Sequence, residues 1–417
     1  MPTKTLLTLA CFALFLKIPD WLPAFRDYKV LDWSGIPAVF DFVPKNSMAQ
    51  EQAILRPEAE RVAALSAGSI LGPLDRFYDA LAELETKPER GGGRVVRVLH
   101  YGDSPTTADM ITADVRALLQ KRFGSAGHGY HLIAKPWAWY EHRGVSVSAD
   151  GWRITPATQG SERDGQYGLG GVSFRGGAGA WARFRLSEPH RIAEVDQPEG
   201  GSLQATRASE AAWEVRTSGE TRVFGVSFLT GEPGIVYHSL GLNGASITVM
   251  SKSFNYDRWS AVMRRAQPDL VVINYGTNES VYAQFVDTAF EKELREAVRR
   301  VRAAVPEASI LLMSPMDRGQ RNSDGEIVTV PALHRLVTIE QRVAADLGVG
   351  FFSTFDAMGG PGTMGRWYQA EPRLVGADFI HPSPGGAKIV GHLLYKAIMG
   401  GYQRYKTKRL TEKFAPK

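Results

Sequence analysis

Between residues 269 and 355 the chain alternates short, almost wholly apolar runs with amphipathic segments, and this alternation limits the fold more than any other feature. The apolar runs are "DLVVINYG" (269–276), "SILLMSP" (309–315) and "GFFSTF" (350–355). Between them, "FEKELREAVRRVRAAV" and "LVTIEQRVAADLG" repeat apolar residues at helical spacing. Strands with no polar face must be covered on both sides, and helices between them bring successive strands in parallel. The expected class is therefore α/β with a parallel sheet.

The same signature occurs once upstream. "ILGPLDRFYDALAELE" places Leu71, Leu74, Phe77, Tyr78, Leu81 and Leu84 on one helical face, and "KPERGGGR" breaks that helix before a strand over Val95–Leu99. The helix "TADVRALLQKRFG" follows, with Gly124 as its expected C-cap. From about Pro136 to Pro233 the texture changes to short alternating runs such as "GVSVSADGWRITPA" and "TRVFGVSFL", separated by glycine, proline and aspartate turns. That pattern predicts an all-β module, most simply a sandwich. The simplest organisation is one α/β domain, 94–135 and 233–400, interrupted by a β-sandwich at 136–232. A linker and N-terminal helical segment (26–93) precede it, and a basic tail (401–417) ends the chain.

The 417 residues carry a net charge of +5 spread along the chain and no nucleic-acid-binding motif, so a nucleic-acid partner is not expected. Lys4 precedes a mostly apolar run, Thr5–Leu16, whose length suits a secretory signal and falls short of a membrane span. No small-x-small cleavage site follows, so residues 1–25 read as a signal peptide or an uncleaved N-terminal anchor, and export is expected. Cys11 is the only cysteine, which excludes an internal disulfide and a cysteine-based zinc site.

In "VRVLHYGDSPTTADMI" the strand stops at a glycine, a carboxylate and Ser104, where α/β proteins place their ligands. Acyl transfer from such a serine needs a base, a group that orients the base, and donors for the oxyanion. "GADFIHPSPGG" supplies Asp378 and His381 three residues apart, so that Asp378 can hold the ring at Nδ1 and leave Nε2 for Ser104. "HSLGLNGASI" offers the Gly244 N–H with no Cβ in the way, and "NYGTNES" offers the Asn278 side-chain amide. Taken singly, Ser104 and Asn278 also read as helix caps, Gly244 as a turn glycine and His381 as a surface histidine.

The order GDS, NGA, GTN, DxxHP resembles the four blocks of the SGNH/GDSL hydrolase superfamily, over about 210 residues. That resemblance implies a three-layer α/β/α flavodoxin-like core, with Ser104, Asp378 and His381 catalytic and Ser104, Gly244 and Asn278 forming the oxyanion hole. "FGSAGHGY", "GVSFLTGEPGIVYHSLGLNGA" and "AMGGPGTMGRW" are further similar to exported bacterial members with a β module between the first two blocks, as in peptidoglycan O-acetylesterases. Pro105 stands where that subgroup more often has histidine.

The expected activity is that of an exported serine esterase removing O-acetyl groups from a carbohydrate polymer such as peptidoglycan, with no metal or organic cofactor. The same residues also suit an O-acetyltransferase, a lipase or a thioesterase, and a non-catalytic carbohydrate-binding protein is the alternative of another class. Trp137, Trp139 and Tyr140, at the insert boundary, are candidates for stacking on sugar rings, whereas Trp152, Trp181 and Trp213 read as sandwich core. His128 and His131 have a metal-like spacing without a further ligand and read as structural. The glycines of "GLGGVSFRGGAGA" lack the lysine of a phosphate loop and read as turns.

Overall fold

The computed structural model describes residues 68–86, 93–159 and 162–414. The expected signal or anchor segment, Cys11 and much of the expected linker lie outside them. Among the described residues no helix is long and apolar enough to cross a membrane.

The strands fall into core and insert in chain order. Strands β1 (Val95–Gly102) and β2 (Ser125–Gly127) belong to the core. The antiparallel part holds β3 (Gly129–His131), β4 (Val145–Pro156), β5 (Val172–Leu186), β6 (Ile192–Asp196), β7 (Ala205–Ser209), β8 (Ala212–Arg216), β9 (Thr221–Val223) and β10 (Gly225–Leu229). The core resumes with β11 (Gly234–Gly241), β12 (Leu270–Asn274) and β13 (Ser309–Met313). The hairpin β14 (Gly319–Arg321) and β15 (Ile327–Thr329) precedes β16 (Gly350–Phe352). The longer helices are α1 (Asp75–Thr86), α2 (Thr112–Phe123), α3 (Tyr256–Ala266), α4 (Glu291–Ala304), α5 (Leu333–Leu347) and α6 (Pro384–Phe414).

The core sheet is parallel, in the order β16-β13-β12-β1-β11-β2. Every residue of β11, β12 and β13 is buried, as strands covered on both faces must be. Alternate side chains sort the helices into layers. Val98, Val272 and Leu311 share one apolar cluster with α1, α2 and α6, while Leu99, Val271 and Ile310 share another with α3, α4 and α5. This is the expected three-layer core. Counting only β1, β11, β12, β13 and β16, the order is the doubly wound 2-1-3-4-5, with β2 added outside β11.

The insert forms two antiparallel sheets, β3-β10-β6 and β4-β5-β8-β7, with β9 pairing β5. They face one another through Phe184 of β5, whose ring lies 5.0 Å from Phe228 of β10 and 5.5 Å from His131 of β3. The module therefore begins at β3, ahead of the boundary expected at 136, because Gly127 and Gly129 let the chain leave the core sheet earlier than the change in texture suggests. Trp213 is buried as expected, while Trp152 and Trp181 are half-buried.

Residues 401–414 do not form a separate basic tail; they continue α6. Tyr402 and Tyr405 pack their rings against Tyr78 of α1. Lys406 pairs with Glu85 at 3.0 Å and Arg409 with Asp79 at 3.4 Å, so the positive charge of this segment faces acids on α1.

One buried ion pair braces the turn after β1. Asp109, at φ +50°, receives hydrogen bonds from the Thr112 hydroxyl (2.6 Å), Arg116 Nη1 (3.0 Å) and the Arg143 N–H (3.0 Å). Burial pushes the Asp109 carboxyl up, and the adjacent Arg116 guanidinium overrides it and holds the group below its ordinary range. Arg116→Met would leave the carboxylate buried without its cation, and we expect a loss of about 3–5 kcal/mol in urea unfolding. A loss below about 1 kcal/mol would show that the pair does not brace this turn.

Candidate active site

Ser104 sits two residues past β1 in the short helical turn Ser104–Thr107. Thr106 and Thr107 donate their N–H groups to the Asp103 carbonyl at 3.1 and 3.0 Å. The turn lies directly on β11, where the Ser239 hydroxyl donates to the Thr106 carbonyl at 2.9 Å. Gly241 makes that approach possible, since a Cβ there would run into the backbone of Thr106 and Thr107.

The loop before α6 brings the distant partners. His381 Nε2 lies 2.8 Å from Ser104 Oγ, and its Nδ1 lies 2.6 Å from Asp378 Oδ2. With the ring proton on Nδ1, donated to Asp378, Nε2 accepts the serine O–H. Asp378 Oδ1 accepts the N–H groups of Ile380 (3.0 Å) and His381 (3.1 Å), an Asx turn that fixes both side chains. Partial burial pushes the Asp378 carboxyl up, but these hydrogen bonds and the one from the His381 ring outweigh it and hold the group below its ordinary range. Between the two residues, Phe379 takes the left-handed conformation at φ +59°. The β14–β15 hairpin accommodates it: the Gly319 N–H donates to the Phe379 carbonyl at 2.9 Å, and the Arg321 guanidinium stacks 5.0 Å from its ring.

Gly244 and Asn278 are brought to the same edge. Gly244 is exposed at φ +70° with open space where a Cβ would be, so the backbone conformation, and not a close approach, accounts for the glycine here. Among the described residues neither the Ser104 nor the Gly244 N–H has a protein acceptor. Asn278 Nδ2 donates to the Ala245 carbonyl at 2.8 Å, which leaves its second N–H unused. Gly244 and Asn278 line a cleft of about 900 Å³ together with Tyr282, Phe285 and Arg318. A serine hydroxyl paired to a histidine, beside unused N–H donors, can attack an acyl carbon and stabilise the resulting oxyanion.

Of the aromatic candidates, only Trp139 stands exposed at this edge. Its side chain is 53% exposed, and its indole N–H donates to Asn243 Oδ1, next to Gly244, at 3.3 Å. Tyr140, expected to stack on a sugar, does not reach the surface: its ring is buried and its hydroxyl accepts the Leu132 N–H at 2.9 Å, so it is part of the packing. Trp137 is half-buried against the core. His131 is buried with Nδ1 2.7 Å from the Leu132 carbonyl, and burial pushes its pKa down to about 3. No group of three metal-ligating side chains occurs among the described residues.

Three residues of the site carried no sequence signal. Glu279 is buried and accepts the Ile247 N–H (2.7 Å) and the Gly276 N–H (3.1 Å), tying the loop of Gly244 to that of Asn278. Burial pushes its carboxyl up to about 7. Tyr282, 66% exposed, and Arg318 line the cleft from loops whose convergence no local pattern announces.

Ser104, His381 and Asp378 at the carboxyl edge of a parallel α/β sheet fit the class of serine ester hydrolases. The profile of the GDSL-like lipase/acylhydrolase family matches residues 206–389. No curated protein matches the chain in sequence. Among solved structures, one described as a peptidoglycan O-acetylesterase in action superposes with a TM-score of 0.68 at 22% identity, covering 80% of this chain and 99% of that chain. A carbohydrate acetylesterase from Sinorhizobium meliloti matches with a TM-score of 0.29 at 18% identity, over 40% of this chain and 79% of that one. A GDSL-like lipase from Bacteroides thetaiotaomicron matches with a TM-score of 0.28 at 20% identity, over 40% and 76%.

Asp103 beneath the serine gives a pH test. Burial raises its carboxyl from 3.8 to about 6, against the lowering effects of Thr277, His381 and Arg318. The folded chain thus holds this proton more tightly than the unfolded one, and stability falls as pH rises from about 4 through about 6. Asp103→Asn removes that loss, so its stability relative to wild type should rise between about pH 4.5 and pH 7.5 in urea unfolding. A pH-independent difference would contradict the burial of an ionisable carboxyl here.

Proposed function

We propose that the protein is an exported esterase that removes O-acetyl groups from a carbohydrate polymer, with peptidoglycan as the leading substrate. The observation that carries this reading is the hydrogen-bonded series Ser104–His381–Asp378 beside the unused donors of Gly244 and Asn278. His381 removes the Ser104 proton as the oxygen attacks the acetyl carbonyl. The N–H groups of Ser104 and Gly244 and the Asn278 amide hold the tetrahedral oxyanion. His381 then protonates the departing sugar hydroxyl, and water releases acetate by the same steps.

Water, and not a second sugar, suits this site as the acceptor. The side chains of His381 and Asp378 are 45% and 47% exposed, so the acyl-enzyme would not be shielded. Trp139 and Tyr282 give a polymer two exposed rings on which to stack beside the oxyanion loop. The likeness in fold to a peptidoglycan O-acetylesterase supports that polymer. Export rests on the charged and apolar pattern of residues 1–25.

Acetate release from O-acetylated peptidoglycan, xylan and alginate tests the reading, with peptidoglycan expected to give the highest kcat/KM. Ser104→Ala should abolish turnover without changing the melting temperature, and more than a few per cent residual turnover would remove Ser104 from its role. Asn278→Ala should lower kcat by about 10²–10³ at nearly unchanged KM. Trp139→Ala should raise KM for the polymer and spare p-nitrophenyl acetate; a parallel loss on both, with a lower melting temperature, would make the indole a packing residue.

A further inference from the structure

Arg318 is half-buried and has no carboxylate partner among the described residues, whereas most of the half-buried and buried arginines have one. Arg116, Arg175, Arg222 and Arg258 each face a carboxylate, at Asp109, Glu162, Asp164 and Asp196. Arg300 directs its guanidinium at the carbonyls of Met250 and Phe254. Arg318, on the loop after β13, donates Nη1 to the Thr277 carbonyl at 2.8 Å and makes no ion pair with any described residue. Four of its five N–H donors therefore remain. The guanidinium lines the same cleft as Gly244, Asn278 and Tyr282, and its one hydrogen bond goes to the residue before Asn278.

The carboxylates nearest in effect are already committed. Asp378 holds the His381 ring, and Asp103 is buried beneath the serine turn. Burial works against the charge of Arg318, while those two groups support it, and a guanidinium keeps its proton regardless. A fixed cation with unused planar donors, half withdrawn from water, matches a carboxylate that accepts two hydrogen bonds.

Resting on the esterase reading above, we propose that Arg318 binds a carboxylate of the substrate, so that the preferred ester lies on or beside an acidic sugar unit. Both the uronic acids of a polysaccharide and the lactyl or peptide carboxylates of peptidoglycan supply this group. The carboxylate sits within about one sugar ring of the scissile ester, because Arg318 and Asn278 meet through Thr277. Arg318 thus orients the polymer by charge while Trp139 and Tyr282 hold it by stacking.

The test compares O-acetylated glycan fragments with a free carboxylate and the same fragments with that carboxylate amidated. One pair derives from a uronate oligomer and one from peptidoglycan, which separates the two sources. Wild type should favour the free acid by about tenfold in kcat/KM, a preference that shrinks with added salt. Arg318→Gln should bring the ratio close to one, and Arg318→Lys should keep part of it. Calorimetry on Ser104→Ala should show the same ratio in binding, independently of turnover.

Equal use of acid and amide by wild type, with p-nitrophenyl acetate still hydrolysed, would overturn the carboxylate pocket and leave the esterase reading standing. An Arg318→Gln variant that loses kcat equally on both fragments and keeps the ratio would overturn it too, making Arg318 a brace for the Thr277–Asn278 turn. Binding without turnover of any ester by wild type would instead defeat the esterase reading.

Discussion

The site depends on the register of three parallel strands. Gly102 of β1 pairs with Gly241 of β11 on one side and with Asn274 of β12 on the other, so the carboxyl ends of the three strands form one row. Ser104, Gly244 and Asn278 each follow that row by two to four residues. The sheet order reverses between β1 and β12, which opens a crevice where neighbouring loops diverge. A slip of one residue in either pairing would exchange the side chains of β11 or β12 between the two apolar layers and disrupt the packing of both, so the hydrophobic core enforces the geometry of the site.

Polar groups beneath the row complete the placement. Glu279 joins the loops of Gly244 and Asn278 through the N–H groups of Ile247 and Gly276, and Asn278 adds its own bond to Ala245. Asp109 and Arg116 brace the segment that leaves the serine turn. Burial raises Asp103 to about 6 and Glu279 to about 7, so the fold carries a desolvation penalty directly under Ser104. The histidine loop is held differently, by the Asx turn at Asp378 and by the hairpin that supports Phe379. That arrangement leaves the imidazole at the edge of the protein and open to water.

Much of this was legible in the sequence, for definable reasons. The apolar runs of β12, β13 and β16 announce a two-faced sheet because burial on both sides removes polar residues altogether. Ser104, Gly244, Asn278, Asp378 and His381 stand out through short local patterns, and the fold brings Ser104 and His381 into contact across the length of the domain. Tyr140 misled because an aromatic beside two tryptophans looks the same whether it faces solvent or the His131 ring, and only the Leu132 hydrogen bond distinguishes the cases. The 401–417 segment misled because its charges read as solvated until α1 supplies their partners. Glu279, Tyr282 and Arg318 were invisible: their roles arise from loops meeting in space, and each reads locally as a surface residue.

Covalent labelling of the serine tests the central claim most directly. The protein is treated with diethyl p-nitrophenyl phosphate, and the intact mass and the modified peptide are read by mass spectrometry. The account predicts one phosphoryl adduct per chain, located on Ser104 and absent from Ser104→Ala and from protein unfolded beforehand. A stoichiometric adduct on any other residue, or full esterase activity in protein that takes no adduct on Ser104, would contradict it.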